Sequence, residues 1–357
     1  MHQTQHISDK SNIEEGSVTW KSPSNIALVK YWGKHGLQLP SNPSISFTLS
    51  ECYTQSTLEY TKKEEKGFDI QVLLDGEKNE KFAQKILGFF EKIQAELPLV
   101  SQYSFVLKTH NSFPHSSGIA SSASGMSALS LCLLSLNELV NGAQGDDAFY
   151  HNSSYLARIG SGSAARSVYG GLVVWGRHAE IINSSDEFAT PYPFEVNPIF
   201  DTFNDTILLI HEGEKNISST IGHSMMTRHP FARQRFEEAR TNLSRLVSVF
   251  RAGDLNEFGQ IIESEALMLH ALIMCSTPPY ILMKPNTLAV IEKIWDFRKQ
   301  NSVPLFFTLD AGANVHLLYP EADKQLINSF IESELTAYCE NKKYICDHVG
   351  KGPELIA

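Results

Sequence analysis

The chain has 357 residues, 42% of them hydrophobic and 20% charged, and carries a net charge of −10 at neutral pH. That length divides a core between two closely packed domains, and the composition is that of a globular protein. The acidic balance excludes a broad basic face for nucleic acid, so any anionic ligand has to be caught by a local site. The cysteines, Cys52, Cys132, Cys275, Cys339 and Cys346, are scattered without paired spacing, which argues against a disulfide framework or a zinc site and for a reducing compartment.

Residues 1–17 hold no apolar stretch of signal-peptide length and read as a short disordered arm. No later segment reads as long and apolar enough to cross a bilayer, so a cytoplasmic protein is expected. "SVTW" and "NIALVKYW" read as two strands, followed by the turn-rich loop "GKHGLQLPSNPSIS". "FDIQVLLDG" is a further strand ending in an Asp75-Gly76 turn, and residues 80–96 place Phe82, Ile86, Phe89, Phe90 and Ile93 on one helical stripe. "YSFVLKTH" alternates as a half-buried strand and leads into "PHSSGIASSASG" at 114–125, after which Met126 to Leu139 are nearly continuous apolar positions of a helix buried on most sides. "GGLVVW" is a strand, and the proline-rich stretch 183–203 marks a boundary between domains at 18–195 and 196–357. Beyond it come the strand "DTILLIHEG", helical patterns at 222–252, 254–274 and 285–300, two strands in "VPLFFTLDAGANVHLLYP" joined at Asp310-Ala311-Gly312, and a helix over 320–341. Strand, helices, strand pair and helix make an α+β pattern.

Four clusters invite chemistry. At 114–125 a strand leads into a helix start, where unpaired amides, the positive end of the helix dipole and Ser121, Ser122 and Ser124 make a cradle for phosphate, with Gly118 allowing close approach and Pro114 stiffening the entry. A serine-rich cap of a buried helix has the same composition without any ligand. In "ARIGSGSAARSVYGG" at 157–171, Ser161 and Ser163 offer hydroxyls and Arg166 a planar fork for carboxylate or phosphate; a plain turn with a solvated arginine is the alternative. In "NIALVKYWGK", Lys30 and Lys34 flank Tyr31 and Trp32 and could converge on a diphosphate, or simply face solvent. In "FFTLDAGANVHLLY", Asp310 leaves an apolar strand into a small-residue turn, as a reactive carboxylate or as a hairpin residue. The histidines, His270 among them on an apolar helix face, lack metal-ligand spacing, and "GSGSA" lacks the apolar strand that a nucleophile elbow needs.

"SNIALVKYWGK", "PHSSGIASSASG", "ARIGSGSAARSVYGG", "SST" at 218–220 and "LDAGAN" at 309–314, in this order, resemble the GHMP kinase superfamily and within it the diphosphomevalonate decarboxylases. The resemblance runs from about Val18 to near the C-terminus. It implies an α+β, GHMP-kinase-like two-domain fold, with a ribosomal S5-like N-terminal half and a ferredoxin-like C-terminal half, commonly a homodimer. It further implies ATP- and Mg2+-dependent phosphorylation and decarboxylation of mevalonate 5-diphosphate to isopentenyl diphosphate, in isoprenoid biosynthesis. On the matching positions it implies catalytic roles for Asp310 and Arg166, substrate contacts from Lys30, Tyr31, Lys34, Ser161, Ser163 and Ser219, nucleotide contacts from Asn111, Ser117, Gly118, Ala120, Ser121 and Ser122, and magnesium at Ser122. Ala313, Ala165 and Ile159 stand where the family usually has proline, cysteine and glutamine, and none of these removes a charged group; Thr220 stands where some bacterial relatives carry an arginine that helps hold the diphosphate, which implies a partly rewired phosphate recognition. A phosphomevalonate decarboxylase, a mevalonate 3-kinase and a non-catalytic metabolite-binding relative are the competing readings.

Overall fold

The two strands expected over 17–32 are a single one, β1 (Glu15–Val29), in the computed structural model, which describes residues 13–114, 119–213 and 219–357. Its register against the next long strand shifts between Pro23 and Asn25 and again between Ala27 and Val29. A proline cannot donate to a ladder, and a bulge lets pairing resume beyond it. β1 also begins within the segment expected as an arm: Glu15, Gly16 and Ser17 pair with Thr61, Tyr60 and Glu59.

The turn-rich loop holds a small hairpin, β2 (Lys34–His35) and β3 (Leu39–Pro40), and then enters β4 (Ser44–Lys62), a strand absent from the sequence reading. Its inward positions explain the omission. Thr54 and Ser56 face the core and hydrogen-bond Ser124 (2.6 Å) and Thr109 (2.9 Å), so the apolar alternation that announces a strand is missing. β5 (Asp69–Leu74) and β6 (Glu77–Lys78) form a hairpin through Asp75 and Gly76, both at positive φ, as a two-residue turn requires. α1 (Glu80–Ile93), capped by Asn79, buries Ile86, Phe89, Phe90 and Ile93 as its periodicity predicts. β7 (Tyr103–Asn111), α2 (Ser121–Asn141), α3 (Asp146–Gly160), β8 (Leu172–Trp175) and β9 (Ala189–Pro191) follow. α2 is, contrary to expectation, long and apolar enough to span a membrane, but 72% of its apolar window is buried inside the protein.

The second half contains β10 (Asn204–Leu208), α4 (Ser219–Met225), α5 (Ala232–Ala252), α6 (Leu255–Met274), α7 (Pro285–Asn301), β11 (Phe306–Leu309), β12 (Val315–Tyr319), α8 (Lys324–Phe330), β13 (Tyr344–His348) and β14 (Glu354–Leu355). The helix expected over 320–341 is continuous only over α8, because the backbone widens into a π segment at Ile331–Leu335 and then tightens. β11, β12, β10 and β13 lie side by side, all antiparallel, in the ferredoxin-like order. The first sheet runs β14-β1-β4-β7-β5-β6, with β8 and β9 attached to β4. The chain end thus returns to the first sheet, where Leu355 pairs with Trp20. One apolar cluster spans both halves, joining Ile26, Leu28 and Phe47 to Phe203, Leu243 and Phe258. β1 and β11 both enter this shared core, through Ile26 and Leu28 and through Phe306.

Candidate active site

Arg166 lies in a short 3₁₀ segment, Gly162–Val168, and is 2% exposed. A guanidinium in that position has to be fully wired or it destabilises the fold. Its Nε donates to Ser46 Oγ (3.0 Å) and Asn25 Oδ1 (3.2 Å), and its Nη1 to Ser44 Oγ (2.6 Å). Burial lowers its pKa to about 10, and the Asp310 carboxylate pulls it back up. The same carboxylate raises the pKa of Lys30, which burial pushes down to about 8. Lys30 is 1% exposed and its Nζ donates to Ala27 O at 2.5 Å. Asp310, half-buried at the end of β11, therefore lies within electrostatic reach of two buried cations from the first half of the chain.

Tyr31 is packed between Trp175 (centroids 4.6 Å apart) and His223 (4.2 Å). Its hydroxyl is buried without a hydrogen-bond partner among the described residues, and burial holds its pKa far above the ordinary range, so it remains a donor. A side chain at Gly162 would stand 2.8 Å from that hydroxyl, which keeps the position small. His223 Nδ1 accepts from the Gly33 amide at 3.0 Å; burial, with repulsion from Lys34, lowers its pKa to about 3 and keeps it neutral. The two lysines expected to converge part company instead. Lys30 turns inward, whereas half-buried Lys34 donates to Gln38 Oε1 at 2.8 Å.

α2 opens opposite. Its N-cap is Ala120 in the left-handed region (φ 49°), no side chain caps the helix, and its first turn has no acidic residue. The positive end of the dipole is left for an anion. Ser121 is half-buried, and Ser122 is exposed with its Oγ 3.4 Å from Ser161 Oγ, which brings the serine loop and the 157–171 cluster together. Ser124 is corrected: it is fully buried and bonds Thr54 and the Ser121 carbonyl, out of reach of a ligand. Asn111 ends β7 and its Oδ1 accepts from Thr54 (2.7 Å), while the carbonyl of Ser163 accepts from Asn25 (3.3 Å). Ser117 and Gly118 lie outside the described residues, as does the side chain of Ser219 at the start of α4. Among the described residues no group of three or more His, Cys, Asp or Glu is arranged for a metal. Magnesium carried on phosphate oxygens with one hydroxyl and water needs no such cage.

Two sets of residues, and the partner of a third residue, escaped the sequence reading. Ser44, Ser46 and Asn25 hold Arg166, and the signal was the alternation of hydroxyls in "SISFT", read as loop. His270 is the satisfied core histidine expected, but its partner is the Asp310 carbonyl, 3.1 Å from Nε2. Glu265 and Arg235 form an ion pair with both side chains fully buried, beside Lys30. No local pattern announces either contact, because each joins residues far apart in the chain.

Residues 22–189 match the family model described as the diphosphomevalonate decarboxylase-like N-terminal domain, and residues 206–356 that of the mevalonate 5-diphosphate decarboxylase C-terminal domain. The diphosphomevalonate decarboxylase of Ganoderma lucidum is 30% identical over 338 residues, which cover 88% of this chain and 80% of that protein. The crystal structure of mevalonate diphosphate decarboxylase from Staphylococcus aureus superposes with a TM-score of 0.82 at 29% identity, covering 96% of this chain and 98% of the other. A structure of MDDEF in complex with MVAPP, AMPPCP and magnesium gives a TM-score of 0.81 at 29% identity, covering 95% and 98%.

Proposed function

The chain belongs to the diphosphomevalonate decarboxylase family, and from that membership we infer that it catalyses the ATP- and Mg2+-dependent decarboxylation of mevalonate 5-diphosphate to isopentenyl diphosphate, ADP, phosphate and carbon dioxide. The observation that carries the residue assignment is the charge interaction of Asp310 with buried Arg166 and Lys30, together with an uncapped helix start whose Ser122 reaches Ser161.

Asp310 is the carboxylate that orients the tertiary 3-hydroxyl of the substrate and takes its proton as the oxygen is phosphorylated. Positioning and electrostatics supply most of the rate in such a transfer. The C3–O bond then breaks with its electron pair leaving on phosphate, and positive charge develops at C3. Asp310 faces that charge. Arg166 lies on the side of the substrate carboxylate, and decarboxylation returns the C–C bonding pair to form the new double bond. Tyr31, Lys34, Ser161, Ser163 and Ser219 hold the diphosphate and carboxylate ends, with Lys30 nearby. The unpartnered Tyr31 hydroxyl supports its share of that assignment.

The start of α2 fits a nucleotide triphosphate, since its amides lack a capping side chain and its first turn holds no acidic residue to oppose an anion. Asn111, Ser117, Gly118, Ala120, Ser121 and Ser122 would hold it, with Ser122 at the magnesium. When bound, MgATP supplies the phosphoryl group. A cytoplasmic homodimer completes the proposal, and sedimentation of purified protein tests the assembly.

The deciding experiment gives purified protein ATP with mevalonate, its 5-phosphate or its 5-diphosphate and measures carbon dioxide and ADP. Release of carbon dioxide from the diphosphate is expected. Preference for the monophosphate would make it a phosphomevalonate decarboxylase, ADP without carbon dioxide a 3-kinase, and stabilisation by nucleotide without turnover a binding protein.

A further inference from the structure

β1 ends at Val29, so Lys30 leaves the sheet and its backbone groups need other partners. Side chains take them, two of the three from the second half. The Lys30 amide donates to Glu265 Oε2 (2.9 Å), and its carbonyl accepts from Arg235 Nη2 (2.9 Å) and Asn42 Nδ2 (3.0 Å). Glu265 is itself fixed by a two-pronged pair with Arg235, at 2.7 and 2.6 Å, and by Asn242 at 2.8 Å. Two fully buried charges are a poor way to gain stability, since apolar residues of similar volume commonly do as well or better. Their geometry instead holds one residue, and that residue is Lys30. Glu265 lies on α6, and so does His270, whose Nε2–H donates to the carbonyl of Asp310. The two contacts lie on one rigid helix about 7.5 Å apart along its axis.

We propose that α6 is the positioning element of the site: Glu265, braced by Arg235, and His270 are positioning residues that fix Lys30 and Asp310 at a set separation across the two halves of the chain. The inference rests on the decarboxylase reading above. Neither residue needs to touch substrate. Their effect reaches the chemistry through the backbone from which the ammonium and the carboxylate project, and a displacement of about 1 Å at such groups costs about 100-fold in rate.

The test begins with carbon dioxide release by the wild-type enzyme; if that is absent, the functional reading fails and the positioning proposal is judged by the position of Lys30 in crystal structures of the variants. With an active wild type, Glu265→Gln is expected to lower kcat about 100-fold while KM for the diphosphate changes little. The charged groups acting on Lys30 are Asp310, Glu265, Arg166 and Asp205, and Glu265 raises its pKa. The alkaline limb of the kcat profile should therefore move to lower pH in Glu265→Gln, which a merely structural role would not do. Because the lone Arg235 charge left behind could unfold that variant, the pair Arg235→Met with Glu265→Leu is the second arm, expected to fold yet stay slow. On the other contact, His270→Leu should be slow and His270→Gln, whose amide can donate to the same carbonyl, should recover. Folded variants with wild-type kcat and an unmoved limb, or a Lys30 that keeps its place in their crystal structures, would overturn the proposal.

Discussion

The two ends of the candidate site are built in opposite ways. At the proposed reacting end, Arg166 has its Nε and Nη1 on Ser44, Ser46 and Asn25, Lys30 is held by backbone contacts and Asp310 by His270, and both cations are almost fully buried. At the proposed phosphate end, α2 starts without a capping side chain and Ser122 faces solvent. On the proposed function, the difference follows from what each end has to do. Groups that act on developing charge must be in place before the reaction and cost no reorganisation. Groups that replace the water around a phosphate have to be left without protein partners until it arrives.

The comparison breaks most visibly at Asp310. Asp310→Asn should lower kcat by about 1,000-fold or more while calorimetric affinity for the diphosphate hardly changes, because the interaction is made mainly in the transition state; a near-normal rate would remove the carboxylate from the chemistry. Arg166→Lys should cost about 100-fold in kcat/KM, since an ammonium cannot reach Ser44, Ser46 and Asn25 in one plane. Normal kinetics there would show that charge alone suffices. A finer probe is Lys30, whose folded pKa of about 8 lies below its ordinary 10.5. Burial disfavours its charged form, so wild-type stability relative to Lys30→Met should rise between pH 8 and 10.5 and level off above, as a pH series of thermal midpoints would show. At the phosphate end effects should be smaller: Ser122→Ala should raise KM for ATP about 10-fold or less with little change in kcat. The smallest change is expected for Ala120→Gly, which relieves a left-handed alanine and should raise stability by about 1 kcal/mol or less, read from denaturant midpoints.

Much of the fold is legible in the sequence where one physical signal acts alone. α1 declares itself by its apolar stripe, the β5-β6 turn by Asp75-Gly76, and the β11-β12 pair by two apolar runs around "DAGAN". β4 is not legible, because its buried hydroxyls serve the hydrogen bonding of α2 and β7 and so look polar. The tail strands β13 and β14 are too short, and in β14 too exposed, to show a pattern before their partners are known. In the site, the serine loop, Arg166 and Asp310 stand out as residue types suited to phosphate and carboxylate chemistry. What holds Arg166, Lys30 and Asp310 does not.

The sequence by itself determined the local elements and the reactive residue types, since periodicity, turn chemistry and motif order depend on neighbours along the chain. The tertiary structure alone decided that Lys30 turns inward while Lys34 does not, that Ser124 serves the core, and that α6 reaches both Lys30 and Asp310. Those outcomes depend on burial and on hydrogen bonds between residues far apart in sequence, such as the 235 positions separating Lys30 from Glu265, and no local pattern encodes them.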